Sequence, residues 1–202
     1  MGDYRILTLT DPIYRAWAKT RCRELDPLFK FWGGEGLLSA APGYGAADGH
    51  YDLALRIEQA LVRLWPFGGG ATDLSQCFDR ILRQQVYPLA IHAGIPHKLI
   101  LAYAAHAENI KYVNCYPTGY GGIRRRTAGI AQGCPFSMRF LSICLCPWAQ
   151  AAKLAGTIPR VLADDLMVFV TGEDAHIKTA RALILAHEFI LDLRGEVKVE
   201  KT

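Results

Sequence analysis

The chain has 202 residues, 51% of them hydrophobic and 21% charged, with a formal net charge of +4 from 23 Lys and Arg against 19 Asp and Glu. That length and apolar content suffice for one compact core or two small ones sharing an interface, which excludes a disordered or fibrous chain. The mild positive charge permits a polyanionic partner without requiring one.

In chain order, "YRILTLT" predicts a strand, and "DPIYRAWAKTRCREL" predicts a helix that Asp11 can cap and Pro12 can start. The Gly-rich stretch "FWGGEGLLSAAPGYGAADG" has no periodicity and reads as a loop. From Asp48 to Trp65, Leu53, Ile57, Leu61 and Leu64 recur at three and four residues, predicting a helix with that face buried, ended by "WPFGGG". "GATDLSQCFDRILRQQVYPLAI" predicts a short strand running into a helix capped by Ser75, with Phe78, Ile81 and Leu82 inward. "PHKLILAYAAHAE" predicts another helix; "IKYVNCY" and "GGIRRRTAGI" predict two strands joined at "PTGYGG".

"CPFSMRFLSICLCPWAQAAKL" predicts an apolar helix with Pro135 in its first turn, too short for a membrane span and interrupted by Pro147. "RVLADDLMVFV" predicts a hairpin. A helix over 174–193 follows, with Ile177, Ala180, Ile184 and Leu191 on one face, and "GEVKVEK" closes the chain as a strand. From Gly70 onward this order gives an α+β fold with an antiparallel sheet. The six Cys form no CxxC pair, which favours buried free thiols over disulfides or zinc. No secretory leader pattern opens the chain, so an intracellular protein, nuclear or cytoplasmic, with no membrane partner is expected.

Asp164 and Asp165 sit between two apolar runs. A hairpin turn accounts for them plainly, because Asp is a turn former. The alternative is a pair of like charges awaiting a divalent cation, and that needs a third carboxylate. Asp79, four residues before Arg83, suits a helical ion pair. Asp73, at the end of a strand, is the better third member. Beside the hairpin tip it would complete a cluster able to hold two Mg²⁺ ions roughly 3.5 to 4 Å apart, the arrangement that clamps the oxygens of an in-line phosphoryl displacement. Gln132-Gly133 precedes a Pro-started helix, where a side-chain amide can touch a base or sugar and the backbone can come close.

Taken in order, "DLSQCFDRI", "GIAQGCPFSM" and "LADDLMVFV" resemble motifs A, B and C of a reverse transcriptase, with the closest look to non-LTR (LINE-type) retrotransposon enzymes. "YRILTLTDPIYRAWAKTRCREL" is similar to the start of the fingers, and "LDLRGEVKVEKT" to motif D with its lysine. The resemblance implies a polymerase palm, an antiparallel sheet of split βαβ (ferredoxin-like) plan, over residues 69–202, with partial fingers over 1–68 and no thumb. It implies an RNA-directed DNA polymerase, a nucleotidyltransferase that adds a dNTP to a primer 3′-hydroxyl on an RNA template using two Mg²⁺, with Mn²⁺ as a possible substitute.

By the same resemblance Asp73 and Asp164 are the principal metal ligands, and Asp165 is a weaker ligand or electrostatic supporter. Phe78 is either the steric gate that rejects a 2′-hydroxyl or a core residue. Gln132 and Gly133 would line the nucleotide pocket. Lys201 is a candidate proton donor to the leaving pyrophosphate or a solvated charge. Arg5 and Arg15 are surface residues or triphosphate contacts, and Arg124, Arg125 and Arg126 are candidates to hold template or primer phosphates. Leu162 stands where the family usually has Tyr or Phe, Met138 where Pro is usual, and Ile6 where an "RP" pattern has Pro. Flanking retroelement domains are expected to be missing, which suggests a truncated or decayed copy. The alternatives are an inactive nucleic-acid-binding remnant and an RNA-dependent RNA polymerase palm.

Overall fold

The structure is a computed structural model, and it describes residues 8–197. Helices α1 (Pro12–Glu24), α2 (Asp26–Phe29) and α3 (Ala46–Val62) come first. They are followed by strand β1 (Phe67–Ser75), helices α4 (Cys77–Arg80), α5 (Arg83–His92) and α6 (His97–Asn109), and the hairpin β2 (Tyr112–Tyr116) and β3 (Gly119–Arg124). Helix α7 (Ser137–Leu154), hairpin β4 (Ile158–Leu162) and β5 (Asp165–Thr171), helix α8 (Ala175–Asp192) and strand β6 (Glu196–Val197) complete the order. The main sheet runs β4-β5-β1-β6 with antiparallel neighbours, and β2-β3 forms a separate two-stranded sheet. This is the expected α+β arrangement. No helix among the described residues is long and apolar enough to cross a membrane.

Helix α1 starts where the sequence places it: the Asp11 carboxylate accepts from the Ile13 and Tyr14 amides at 2.8 and 3.2 Å, and Pro12 takes the first position. The core is centred on α7, whose Phe140, Leu141, Leu145 and Trp148 are fully buried. Phe136, just before it, meets Tyr103 of α6 edge-on at 5.7 Å between ring centroids. α7 packs on β4, and α8 packs on β1 and β5.

Several expectations are corrected. Residues 1–7, with Arg5 and Ile6, and 198–202, with Lys201, lie outside the described residues, and Thr8 to Thr10 are not in a strand. α3 does not bury its Leu53-Leu61 stripe: Leu61 and Leu64 are exposed, and Gly49 and Ala60 are the buried residues. The helix touches the rest of the molecule through its small residues and through Asp52, which accepts from Arg160 of β4 at 2.5 and 3.0 Å. In the last long helix the predicted face is also reversed. Ile177, Ala180, Ile184 and Leu191 point outward, and Ala175, Thr179, Ala182, Ala186 and Ile190 point in. The reason lies in β1: a Cβ on Gly68 would sit 2.8 Å from the Thr179 hydroxyl and 3.2 Å from the Ala175 carbonyl oxygen, so α8 lies too close for large side chains.

Ser75 caps nothing, because it is the last residue of β1. The single helix expected after it is broken at Ile81 and Leu82 into α4 and α5. In a continuous helix the carbonyls of Phe78 and Ile81 would accept from residues 82 and 85. Here they accept instead from Ile130 at 2.6 Å and Gly129 at 2.9 Å. Four thiols (Cys22, Cys77, Cys134, Cys144) are buried and free as expected; Cys115 is exposed.

Candidate active site

Strand β1 and the β4-β5 hairpin carry the three carboxylates. The β1-β5 ladder sets Asp73 directly opposite Asp165, and the β4-β5 ladder closes at Leu162 opposite Asp165. Directly opposed residues of an antiparallel pair have Cα atoms about 4.5 to 5.5 Å apart and side chains on one face. Ala163 and Asp164 are therefore the two residues of the connecting turn. Ala163 has φ +55°, as the first position of a primed hairpin turn demands. The Leu74 amide donates to the Asp164 carbonyl at 3.3 Å, which ties the tip back to the residue after Asp73.

Cys77, at the start of α4, gives a second view of the cluster. Burial pushes its thiol up, and the negative charge of Asp164, and more weakly Asp73, acts in the same direction. Both carboxylates are thus felt at one sulfur. Their oxygens are hard donors suited to Mg²⁺, although among the described residues no three His, Cys, Asp or Glu groups converge on a ready-made metal site.

The Gln132-Gly133 segment is joined to the same neighbourhood. Ile130 is bonded to the Phe78 carbonyl, as above, so the steric-gate candidate and the segment leading to Gln132 are held two residues apart. Phe78 is half-buried and packs on the main core, a position that keeps both of its readings open. Gln132 accepts from the Thr8 amide at 3.1 Å, and Gly133 has φ +95°. Ser137, at the start of α7, donates to the Ala131 carbonyl at 2.6 Å.

The sequence reading missed Arg83. It does not pair with Asp79. Its guanidinium is buried and donates to both Glu108 oxygens at 2.8 and 2.9 Å, and to the carbonyls of Arg126, Ala128 and Gly129 at 2.7, 3.1 and 3.0 Å. One side chain thereby sets the backbone that enters the Gln132 turn. Only its pairing distance from Asp79 was visible in the sequence, and that pointed to the wrong partner. Asp79 accepts from Arg126 at 3.0 Å, and Arg126 also lies over the Tyr112 ring at 5.0 Å. Of the three arginines only Arg124 belongs to a strand, and Arg124 and Arg125 are exposed. Arg15 is exposed on α1.

Neither a protein-family model nor any curated protein sequence matches the chain. Solved structures do. The chain is similar to telomerase of Candida tropicalis in complex with a TWJ fragment of telomeric RNA, with a TM-score of 0.68 at 14% identity, covering 94% of this chain and 34% of that one. It has a reverse transcriptase-like fold. The C. tropicalis enzyme truncated from its C-terminal domain matches with a TM-score of 0.62 at 14% identity, over 94% of this chain and 39% of that one. Candida albicans telomerase with the same kind of RNA fragment matches with a TM-score of 0.62 at 11% identity, over 94% and 33%. The chain therefore spans between a third and two fifths of these enzymes.

Proposed function

We propose that the chain is an RNA-directed DNA polymerase domain of the reverse transcriptase type, of non-LTR retroelement descent, which transfers a nucleotide from a dNTP to a primer 3′-hydroxyl. The observation that carries this is the register that opposes Asp73 to Asp165, with Asp164 next to Asp165 in the β4-β5 turn. Residues 69–202 would be the palm and 1–68 the fingers-like part, a boundary that falls two residues inside β1. Two of the telomerase structures contain a fragment of telomeric RNA, which supports RNA as a partner.

Asp73 and Asp164 would hold the metal, with Asp165 beside them. Mg²⁺ is usually bound by one or two carboxylates together with substrate phosphates, a demand that Asp73 and Asp164 would meet. Two bound Mg²⁺ would lower the pKa of the primer hydroxyl and stabilise charge on the leaving oxygen. The chain's residues bind and orient. Phe78 would lie under the sugar of the incoming nucleotide, Gln132 and Gly133 beside the template base, and Arg124 and Arg125 on backbone phosphates. The primer oxygen then bonds to the α-phosphorus as the bond to the pyrophosphate oxygen breaks, and Lys201 would supply the proton.

The test is extension of oligo(dT) on poly(rA) with Mg²⁺ or Mn²⁺. The chain should extend the primer and Asp164→Asn should not. Among the described residues no three His, Cys, Asp or Glu groups form a metal site, which favours a second reading, a non-enzymatic nucleic-acid-binding remnant. That reading predicts RNA binding, no extension and no Mn²⁺ binding, with Asp164→Asn indistinguishable from the parent.

A further inference from the structure

Ala163 is one of four non-glycine residues among those described with a left-handed backbone, and it immediately precedes Asp164. Such a conformation persists in a residue with a side chain only when its surroundings over-determine it. Two hydrogen bonds hold this turn from opposite sides. From the β1 side, the Leu74 amide donates to the Asp164 carbonyl at 3.3 Å. From the other side, the Ala163 amide donates to the Ser39 hydroxyl.

Ser39 is itself held by backbone pairing. The Val161 amide donates to the Gly36 carbonyl at 2.7 Å, and the Leu38 amide to the Val161 carbonyl at 3.1 Å, so Gly36 to Leu38 lies as a short parallel extension on the free edge of β4. The fit leaves no slack: Gly36 has φ +93°, and a Cβ there would sit 2.3 Å from the Pro159 carbonyl oxygen. Arg160 then ties β4 to Asp52 of α3. The Gly-rich stretch, featureless in the sequence, is thus a brace along the edge of the hairpin that carries the carboxylates.

We infer that Ser39 is a positioning residue: its hydroxyl holds Ala163 in the left-handed conformation and so aims the Asp164 carboxylate toward Asp73. This rests on the proposed function for what the carboxylate does, but the clamp itself can be measured without it. Ser39 touches no reacting atom. Its removal should therefore act on metal affinity rather than on stability.

The experiment compares the parent chain with Ser39→Ala, Ser39→Thr and Ser39→Ala/Ala163→Gly. It reads hydrogen exchange of the residue-163 amide by NMR, Mn²⁺ affinity by electron paramagnetic resonance, and the Mn²⁺ concentration giving half-maximal primer extension. Ser39→Ala should expose the amide and weaken Mn²⁺ binding by about tenfold, the lower end of what the loss of a supporting partner costs a metal site. Ser39→Thr, which keeps the hydroxyl, should restore both. Ala163→Gly in the Ser39→Ala background should recover metal affinity without recovering amide protection, because glycine adopts the left-handed turn unaided.

Unchanged exchange in Ser39→Ala overturns the clamp. Faster exchange with unchanged Mn²⁺ affinity overturns the positioning role. A parent chain that protects the amide yet binds no Mn²⁺ also overturns the positioning role, and it removes the polymerase reading at the same time. Mn²⁺ binding that follows the predicted variant order without any extension supports the positioning role and sinks only the polymerase reading.

Discussion

Arg83 and Glu108 show how a single side chain organises the approach to the candidate site. Hydrogen bonds from Arg83 hold the Glu108 carboxyl below the usual carboxylate range, with partial burial opposing them and Tyr87 adding a bond of 2.6 Å. A carboxylate whose folded pKa is depressed contributes stability that is complete above its unfolded pKa of about 4.3 and is lost as pH falls through the folded value. The urea midpoint should therefore drop as pH falls below about 5, and the drop should be shallower in Glu108→Gln. Arg83→Met should cost about 3 kcal/mol at neutral pH, because it strands three carbonyls together with the carboxylate. Equal pH slopes in parent and Glu108→Gln would show that the pair contributes nothing. Phe78 tests the chemistry from another side. Under the polymerase reading, Phe78→Ala should erode the preference for dNTP over rNTP in extension assays, whereas a purely core role would lower the melting temperature and leave that preference alone.

At the scale of elements, the β2-β3 hairpin stands apart from the main sheet, with Arg124 and Arg125 exposed at its base. If both hold template phosphates, Arg124→Ala and Arg125→Ala should each reduce by about one the slope of log affinity against log salt in RNA-binding titrations. Mutants with the parent slope would remove this hairpin from the interface. How much was legible in sequence follows the range of the interactions. α1 was readable because its cap is local: Asp11, Pro12 and the amides they serve lie within three residues. The hairpin was readable because two β-type runs flank a polar pair, although its turn is Ala163-Asp164 and Asp165 already belongs to β5. The break between α4 and α5 was not, since the groups that take the Phe78 and Ile81 carbonyls come from residues 129 and 130. The same holds for Arg83, whose partners are 25 to 46 residues away. The brace at Gly36 to Ser39 had no periodicity to find, and only its glycines marked an unusual backbone. Of the candidate site, the register of Asp73 against Asp165 is a tertiary fact that motif order could suggest but not establish.

For the whole molecule, the question is which surface of α8 belongs to the core, since the helix is apolar on both sides. Periodicity alone selects the larger residues, Ile177, Ile184 and Leu191, as the buried stripe. The structure selects the smaller ones instead, because the glycines of β1 bring the helix axis close to the sheet: Ala182 and Ala186 are fully buried, while Ile184 is 59% and Leu191 54% exposed. Two substitutions separate these arrangements. Ile184→Glu should change unfolding free energy by no more than about 0.5 kcal/mol, the usual range for an exposed position. Ala182→Leu adds methylenes where there is no room and should cost about 1 to 3 kcal/mol. Urea unfolding of both variants decides the matter. A large loss in Ile184→Glu with a neutral Ala182→Leu would turn α8 over on the sheet. That rotation would also release Thr179 from its contact with β1, the strand that carries Asp73, so the packing of α8 and the placement of the candidate site stand or fall together.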